Sequence, residues 1–196
     1  VLLLATILIN PSFASAEVKK EYYPTGELHF EKTYVNGVLE GRSKEYSKSG
    51  KLSSVENYKN NMMDGVAKYY DGNGAIWLEK NYKNGKQEGL FKQYHFNGQL
   101  WVEKNYKSGY LEGLYKLFYE NGQLNNEVNY NNNKKEGISR WYHKSGERSQ
   151  EINYKNGKRE GLAKTYDKNG NIFVESNYRN GKSEGLLKAY HENGQV

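Results

Sequence analysis

Residues 89–113 read GLFKQYHFNGQLWVEKNYKSGYLEG, and this stretch holds two strand-length segments that each lead into a turn signal. Residues 90–96 form the first segment and precede Asn97-Gly98, whereas residues 99–106 form the second and precede Ser108-Gly109. Apolar residues recur at a spacing of two, which is typical of strands, and glycine recurs too often for a helix. The connections are too short for the crossovers that parallel strands need. The stretch therefore predicts an antiparallel β-hairpin.

This unit recurs every 24 residues without insertion or deletion. The first turn is marked by Gly26, Gly50, Gly74, Gly98, Gly122, Gly146, Gly170 and Gly194. The second turn is marked by Gly37, Asn61, Gly85, Gly109, Asn133, Gly157 and Gly181, where Asn is a natural substitute for glycine at positive φ. Tyrosine keeps the same period from Tyr34 to Tyr178 and, with Phe118 in one place, from Tyr22 to Tyr190. We therefore expect each unit to contact its neighbours in the same way.

The composition also indicates a thin, extended structure. The chain has 196 residues, 36% of them hydrophobic, with 19 Tyr and a formal net charge of +6. This apolar content is low for a compact domain, but disordered chains lack so many aromatic residues. We predict an all-β fold, an elongated single-layer antiparallel β-meander of about seven repeated 24-residue hairpins over residues 17–196. Roughly fifteen strands spaced by about 4.8 Å would form a rod of about 70 Å.

Two registers are open at the first turn. A two-residue type I′ turn at Asn97-Gly98 would pair Lys92 with Glu103, whereas a three-residue type I turn with a G1 bulge would pair Lys92 with Val102. Pro24 before Thr25-Gly26 favours the bulged turn, because proline is preferred early in a type I turn. The bulged register also gathers one apolar set on a single face: Leu90, Tyr94, Leu100, Val102 and Tyr106.

The first residues differ in character from the repeats. Residues 1–9 are apolar, Asn10-Pro11 interrupts them, and Ala14-Ser15-Ala16 matches a signal-peptidase site. We interpret residues 1–16 as a secretory signal that is incomplete at its N-terminus, in preference to a membrane anchor, which needs about 20 residues. The sequence contains no Cys, so no disulfide framework is available. The expected location is secreted, periplasmic or at the cell surface.

The repeating unit can be written Tyr-x-x-Asn-Gly-Gln-Leu, followed by Glu-x-Asn-Tyr-Lys-Asn-Gly-Lys-x-Glu-Gly-Leu-x-Lys-x-Tyr. Residues 94–118 and 142–166 show it closely, and it extends over about residues 20–196. This unit resembles the variant MORN repeat of bacteria, a family that includes proteins described as antitoxin components of toxin–antitoxin systems. The resemblance implies an extended antiparallel sheet, scaffolding between proteins, frequent dimerisation and membrane contact in some members. It supplies no catalytic residues, and the export signal argues against a cytoplasmic antitoxin.

Charge follows the same period. The cationic series is Lys44, Lys68, Lys92, Lys116, Arg140, Lys164 and Lys188. One acidic series is Glu31, Glu79, Glu103, Glu127, Glu151 and Glu175, and the other is Glu40, Asp64, Glu88, Glu112, Glu136, Glu160 and Glu184. The cations could track a membrane or an envelope polymer, but the interleaved acids favour a solvated surface. A nucleic-acid partner is disfavoured because of the export signal.

The sequence offers no constellation for catalysis, a cofactor or a metal. His95, His143 and His191 share one repeat position, about 19 Å apart along the sheet, which is too far for one ion. There is no Cys nucleophile, no Ser–His–Asp grouping and no phosphate-binding loop. We therefore predict a non-enzymatic protein with no cofactor and no metal.

The positions that vary between repeats are the candidates for partner binding. In the bulged register, an apolar cluster occupies the middle of the second face: Tyr69, Trp77, Phe91, Trp101, Tyr115, Leu117 and Trp141. Equivalent positions nearer the ends are small or polar, such as Ser53 and Ser149. An exposed patch of this kind typically marks an interface with another protein or a second copy. The alternative is that this face packs on itself through the twist of the sheet.

Overall fold

The computed structural model describes residues 15–191 and 194–196, where all regular structure is β. The strands are β1 Ala16–Tyr22, β2 Leu28–Val35, β3 Val38–Tyr46, β4 Leu52–Lys59, β5 Met62–Met63, β6 Gly65–Tyr70, β7 Ile76–Lys83, β8 Lys86–Gln87, β9 Gly89–Tyr94, β10 Leu100–Lys107, β11 Tyr110–Leu111, β12 Gly113–Phe118, β13 Leu124–Asn131, β14 Lys134–Tyr142, β15 Arg148–Lys155, β16 Lys158–Tyr166, β17 Ile172–Arg179 and β18 Lys182–Ala189. They form one open antiparallel meander. The predicted fold class is confirmed, whereas residues 1–14 of the predicted signal lie outside the described residues.

The 18 strands occupy fifteen rows, because the two-residue strands β5, β8 and β11 each share a row with the strand that follows. Strand β4, for example, pairs with both β5 and β6. Asp64, Glu88 and Glu112 stand at the three interruptions, each followed by a glycine with positive φ. The row count matches the fifteen strands expected from the sequence.

The second turn of each unit is a tight two-residue turn. Asn84 and Gly85 both have positive φ, 47° and 76°, which is the signature of type I′. Asn61 (φ 64°) and Asn133 (φ 65°) adopt the same conformation in the two units that lack glycine there. The inference that asparagine replaces glycine at a left-handed position is confirmed.

The first turn is the expected type I turn with a G1 bulge. The amide of Gly98 donates to the carbonyl of His95 (2.9 Å), and the amide of His95 donates to the carbonyl of Gln99 (2.8 Å). Gly98 has a φ of 81°, the left-handed conformation that this turn requires at its third residue. The choice of turn from the sequence is therefore confirmed.

The pairing expected from that turn is wrong, because a second bulge follows immediately. Leu100 lies opposite Tyr94 but Val102 lies opposite Gln93, so Trp101 is an extra residue in β10. The inserted residue shifts the register by one, and Lys92 pairs with Glu103 rather than Val102. The expected single apolar face is wrong for the same reason. Val102 and Tyr106 are on one face of the sheet, whereas Leu90, Tyr94 and Leu100 are on the other face.

We call the face that carries Lys92 and Glu103 the charged face, and the face that carries Phe91 and Val102 the packed face. The centre of the packed face is a buried cluster of Leu78, Phe91 and Val102. Four half-buried side chains cover this cluster: Tyr69, Tyr106, Tyr115 and Leu117. The described part of the sheet is thus a single layer that buries its small core under its own large side chains.

Candidate binding groove

The cationic series lies in a ladder on the charged face, where acidic residues occupy the neighbouring strands. Lys92 pairs with Glu79 on one side and with Glu103 on the other. The ion-pair distances are Lys44–Glu31 2.7 Å, Lys68–Glu79 2.9 Å, Lys92–Glu103 3.8 Å, Arg140–Glu127 3.3 Å, Arg140–Glu151 3.3 Å and Lys164–Glu175 3.4 Å. A hydrogen bond from Lys44 lowers the pKa of Glu31, and the same contact raises the pKa of Lys44. These cations therefore face anions of the same sheet.

The second acidic series stabilises the type I′ turns. The carboxylate of Glu88 accepts a 2.6 Å hydrogen bond from the amide of Ser108, the first residue of the turn in the next unit. The same contact joins Asn60 to Glu40, Asn84 to Asp64, Asn132 to Glu112, Asn156 to Glu136 and Asn180 to Glu160. The recurring acids thus have structural roles, and the chemistry that distinguishes one unit from another lies at the variable positions.

The seven candidate residues divide into two groups. Phe91 is only 9% exposed, so the expectation that it is an exposed anchor is wrong; Tyr69, Tyr115 and Leu117 pack around its cluster. Trp141 is half-buried in β14, opposite Asn126 and Gln150. For Phe91 and the three residues around its cluster, self-packing of the face accounts for the apolar character.

Trp77 and Trp101 form the other group, and they are 40% and 39% exposed. Each is the extra residue of the second bulge in its hairpin, since Leu78 and Val102 make the next pairs in the ladder. A bulge frees its extra residue from pairing and redirects the side chain. The bulge position is held by His29, Ser53, Trp77, Trp101, Asn125, Ser149 and Phe173, and it changes while the framework repeats.

A groove of about 640 Å³ lies between these two tryptophans. Trp77 and Trp101 come from β7 and β10, on either side of β9, which contributes Gln93. The full lining is Asp71, Ala75, Ile76, Trp77, Gln93, Tyr94, His95, Phe96, Gly98, Trp101 and Glu120. Most of this surface is aromatic or aliphatic, with polar groups at the turns. We call this site the central groove.

Local contacts fix the turn side of the central groove. The Oδ1 atom of Asp71 accepts hydrogen bonds from the amides of Asn73 (2.8 Å) and Ala75 (2.9 Å), which holds the carboxylate over its own turn. The Nε2 atom of His95 lies 3.1 Å from the carbonyl oxygen of Phe118, and the His95 ring packs against Trp101 in a tilted arrangement with centroids 5.5 Å apart. The indole of Trp101 is thereby held by its neighbours before any ligand arrives.

The only carboxylates in the lining are Asp71 and Glu120, and it contains no Lys or Arg. The lining is therefore acidic, whereas the whole chain is basic, with 29 basic and 23 acidic residues. The aromatic faces can also attract a cation. The groove is therefore suited to an apolar segment that carries a positive charge.

Sequence reasoning missed Phe96, which is fully exposed at the tip of the turn and lines the groove. It considered His95 only as a metal ligand. The sequence does distinguish Phe96 from its counterparts in the other units. The residues at that repeat position are Pro24, Lys48, Gly72, Phe96, Glu120, Lys144 and Lys168. Phe96 alone among these is a large apolar residue, and a comparison at each turn position identifies it.

Within residues 15–191 and 194–196, no group of three or more His, Asp or Glu side chains is arranged to hold a metal ion. The same part of the chain has no helix of the length and apolarity needed to cross a membrane. His95, His143 and His191 each occupy the residue before a turn tip, as their shared repeat position requires.

Comparison with known proteins gives one informative result. Seven successive segments match the family described as MORN repeat variant: residues 18–36, 39–60, 63–84, 87–108, 111–132, 135–156 and 159–180. No curated protein matches the chain. MORN repeats are non-catalytic and are generally modules that interact with proteins or membranes.

Two solved structures show only a weak likeness. One is the GtfA/B complex bound to UDP and GlcNAc, with 14% identity, a TM-score of 0.25, and coverage of 65% of this chain and 26% of that chain. The other is a porin-like protein from Bacteroides uniformis, with 9% identity, a TM-score of 0.22, and coverage of 88% and 93%. Neither supports an argument about fold or function. The seven repeat matches cover most of the sequence, and the chain therefore belongs to the MORN repeat variant family.

Proposed function

We propose that this chain is a non-enzymatic interaction module that binds a partner protein in the central groove. The observation that supports this proposal most directly is the pair of exposed bulge residues, Trp77 and Trp101, on either side of a preformed apolar groove. Tryptophan in a partly formed pocket is a typical anchor of protein interfaces. The partner segment would present an aliphatic or aromatic side chain beside a Lys or Arg, because Asp71 and Glu120 are the charged groups at the groove.

The module would act outside the cytoplasm, on the strength of the signal-like pattern in residues 1–16. Neutralisation of a toxin would be one case of the same stoichiometric binding, and co-purification with the product of a neighbouring gene would support it. Binding of a membrane or an envelope polymer through the lysine series is the competing proposal. The carboxylates opposite those lysines count against it, because each cation of the series pairs across the sheet with at least one Glu.

A random 12-residue peptide library, panned on the whole protein, tests the groove. Peptides enriched on the whole protein should combine an apolar anchor with Lys or Arg. We expect the double variant Trp77→Ser/Trp101→Ser to bind such peptides at least thirtyfold more weakly in calorimetry. Serine is compatible with the fold here, since Ser53 and Ser149 occupy the same bulge position in other units.

Tyr110→Ser is the matched control, because Tyr110 is an exposed aromatic residue of β11 outside the groove lining. This variant should bind as well as the wild type. Equal binding of all enriched peptides to the double variant would overturn the proposal. So would a dimer, seen by sedimentation, that becomes a monomer in the double variant, because a second copy would then occupy the groove. Binding through the lysine series would instead fade steeply with salt.

A further inference from the structure

A second groove lies near the C-terminal end of the sheet, lined by Asp167, Ile172, Phe173, Tyr190 and His191. Its volume is about 300 Å³. Each of these residues is 96 positions beyond a residue of the central groove: Asp71, Ile76, Trp77, Tyr94 and His95. The separation is four repeats of 24 residues, so the two grooves occupy the same place in two different units. We call the second site the distal groove.

The match is specific to these two units. At the position of Asp71 the chain has Asp only again at 167, and elsewhere Tyr23, Ser47, His95, Tyr119, His143 and His191. At the position of Ile76 it has Ile only again at 172, and elsewhere Leu28, Leu52, Leu100, Leu124, Arg148 and Val196. The combination of Asp, Ile, a bulged aromatic residue, Tyr and His therefore occurs twice. A framework requirement would instead place it in every unit.

The local geometry is also duplicated. The Oδ1 atom of Asp167 accepts from the amides of Asn169 (2.8 Å) and Asn171 (2.9 Å), the same two contacts that Asp71 makes at 2.8 and 2.9 Å. These backbone hydrogen bonds lower the pKa of Asp167, so its carboxylate is charged at neutral pH. Phe173 is the extra residue of its bulge and is 56% exposed, as Trp77 is exposed in the central groove.

We infer that the chain has two equivalent docking sites and binds two copies of the same partner segment. This inference rests on the proposed function of the central groove. The carboxylate and the bulged aromatic ring are the shared chemistry, so both grooves would accept an apolar side chain next to a Lys or Arg. Strand β17 is eight rows further along the sheet than β7, and at about 4.8 Å per row the grooves are about 38 Å apart. One chain thereby holds two partner molecules at a fixed spacing.

The central groove is the larger and has a second indole from Trp101, so it is the tighter site. Because each groove depends on its own bulged aromatic residue, a single substitution should remove one site and leave the other. Trp77→Ser removes the central site and leaves the distal one, whereas Phe173→Ser does the reverse. Both changes place serine at a bulge position where Ser53 and Ser149 are found naturally.

The test is a calorimetric titration of the whole protein with a peptide enriched by the library panning described above. We expect two peptides per chain for the wild type, one for Trp77→Ser, one for Phe173→Ser and none for the combined variant. In Phe173→Trp protein labelled with ¹⁵N, the added indole signal should shift at the second equivalent of peptide. Circular dichroism of each variant verifies that the sheet is retained.

The possible failures are distinguishable. If no peptide depends on Trp77 and Trp101, the proposed function itself fails. If one peptide binds per chain, with loss in Trp77→Ser and no effect of Phe173→Ser, the central groove stands and the second site is overturned. A stoichiometry of two that Phe173→Ser leaves unchanged would also overturn it, because the second peptide would then bind elsewhere.

Discussion

The carboxylate of Glu112 accepts a 2.9 Å hydrogen bond from the backbone amide of Asn132, twenty residues further along the chain. This contact joins the interruption between β11 and β12 in one unit to the type I′ turn of the next unit. The spacing recurs in six pairs of units within the described residues. The constant period of 24 residues is therefore maintained by contacts between units as well as by the turns within them.

Replacing Glu112 with alanine should destabilise the protein by about 1 kcal/mol. A buried hydrogen bond to a charged acceptor contributes somewhat more than this to folding stability, but this turn is partly open to water. The midpoint of urea unfolding measures the change. Glu120→Gln, a carboxylate on a first turn, is the control and should leave the midpoint unaltered; equal midpoints for both variants would contradict the capping role.

Phe91 and Phe96 should respond in opposite ways to alanine. Phe91→Ala should lower the free energy of unfolding by about 3 kcal/mol, because it opens a cavity beside Leu78 and Val102. Phe96→Ala should change it by less than about 0.5 kcal/mol, since the ring is fully exposed. In peptide titrations, however, Phe96→Ala should weaken binding at the central groove. Comparable stability losses in the two variants would refute this division of roles.

Stability should decline at alkaline pH through Tyr58 and Tyr69. Burial, and then the hydrogen bonds to Glu56 at 2.7 and 2.8 Å, raise the pKa of both phenols. A raised pKa in the folded state gives stability that is complete below the unfolded value of about 10 and is lost as pH rises above it. Urea midpoints from pH 8 to pH 11 should therefore fall.

The variant Tyr58→Phe/Tyr69→Phe should be less stable at pH 8, because Glu56 loses two donors, yet should show a shallower alkaline decline. Tyr110→Phe, at an exposed position, serves as the control and should follow the wild type. An unchanged slope in the double variant would show that other groups govern the alkaline transition.

Arg140 lies between Glu127 and Glu151, at 3.3 Å from each. Arg140→Gln should lower stability by about 0.5–1 kcal/mol at low salt, the usual range for a partly exposed ion pair. The difference from wild type should shrink in 1 M NaCl, where the screening length is about 3 Å. Lys107→Gln, at the exposed end of β10, is the control. A loss that persists in high salt would indicate that Arg140 acts through packing of its side chain.

The 24-residue period determined the all-β meander, the number of rows and the places of both turns, and Pro24 favoured the bulged type of the first turn. These follow from local rules, because Asn-Gly pairs and glycines at set offsets permit few backbone conformations. The register between strands did not follow. The extra residue of the second bulge is Trp101, Asn125 or Ser149 in different units, so no residue type at that position predicts the bulge.

The candidate site shows the same division. The sequence identified the middle of the chain as the variable, aromatic region and named Trp77 and Trp101 for it. It could not separate them from Phe91, because one inserted residue decides which side chains face each other across the sheet. Only the paired strands place Phe91 in the core and the two indoles at a groove. Local chemistry fixes the form of each hairpin, whereas pairing between hairpins decides which side chains remain accessible to a partner.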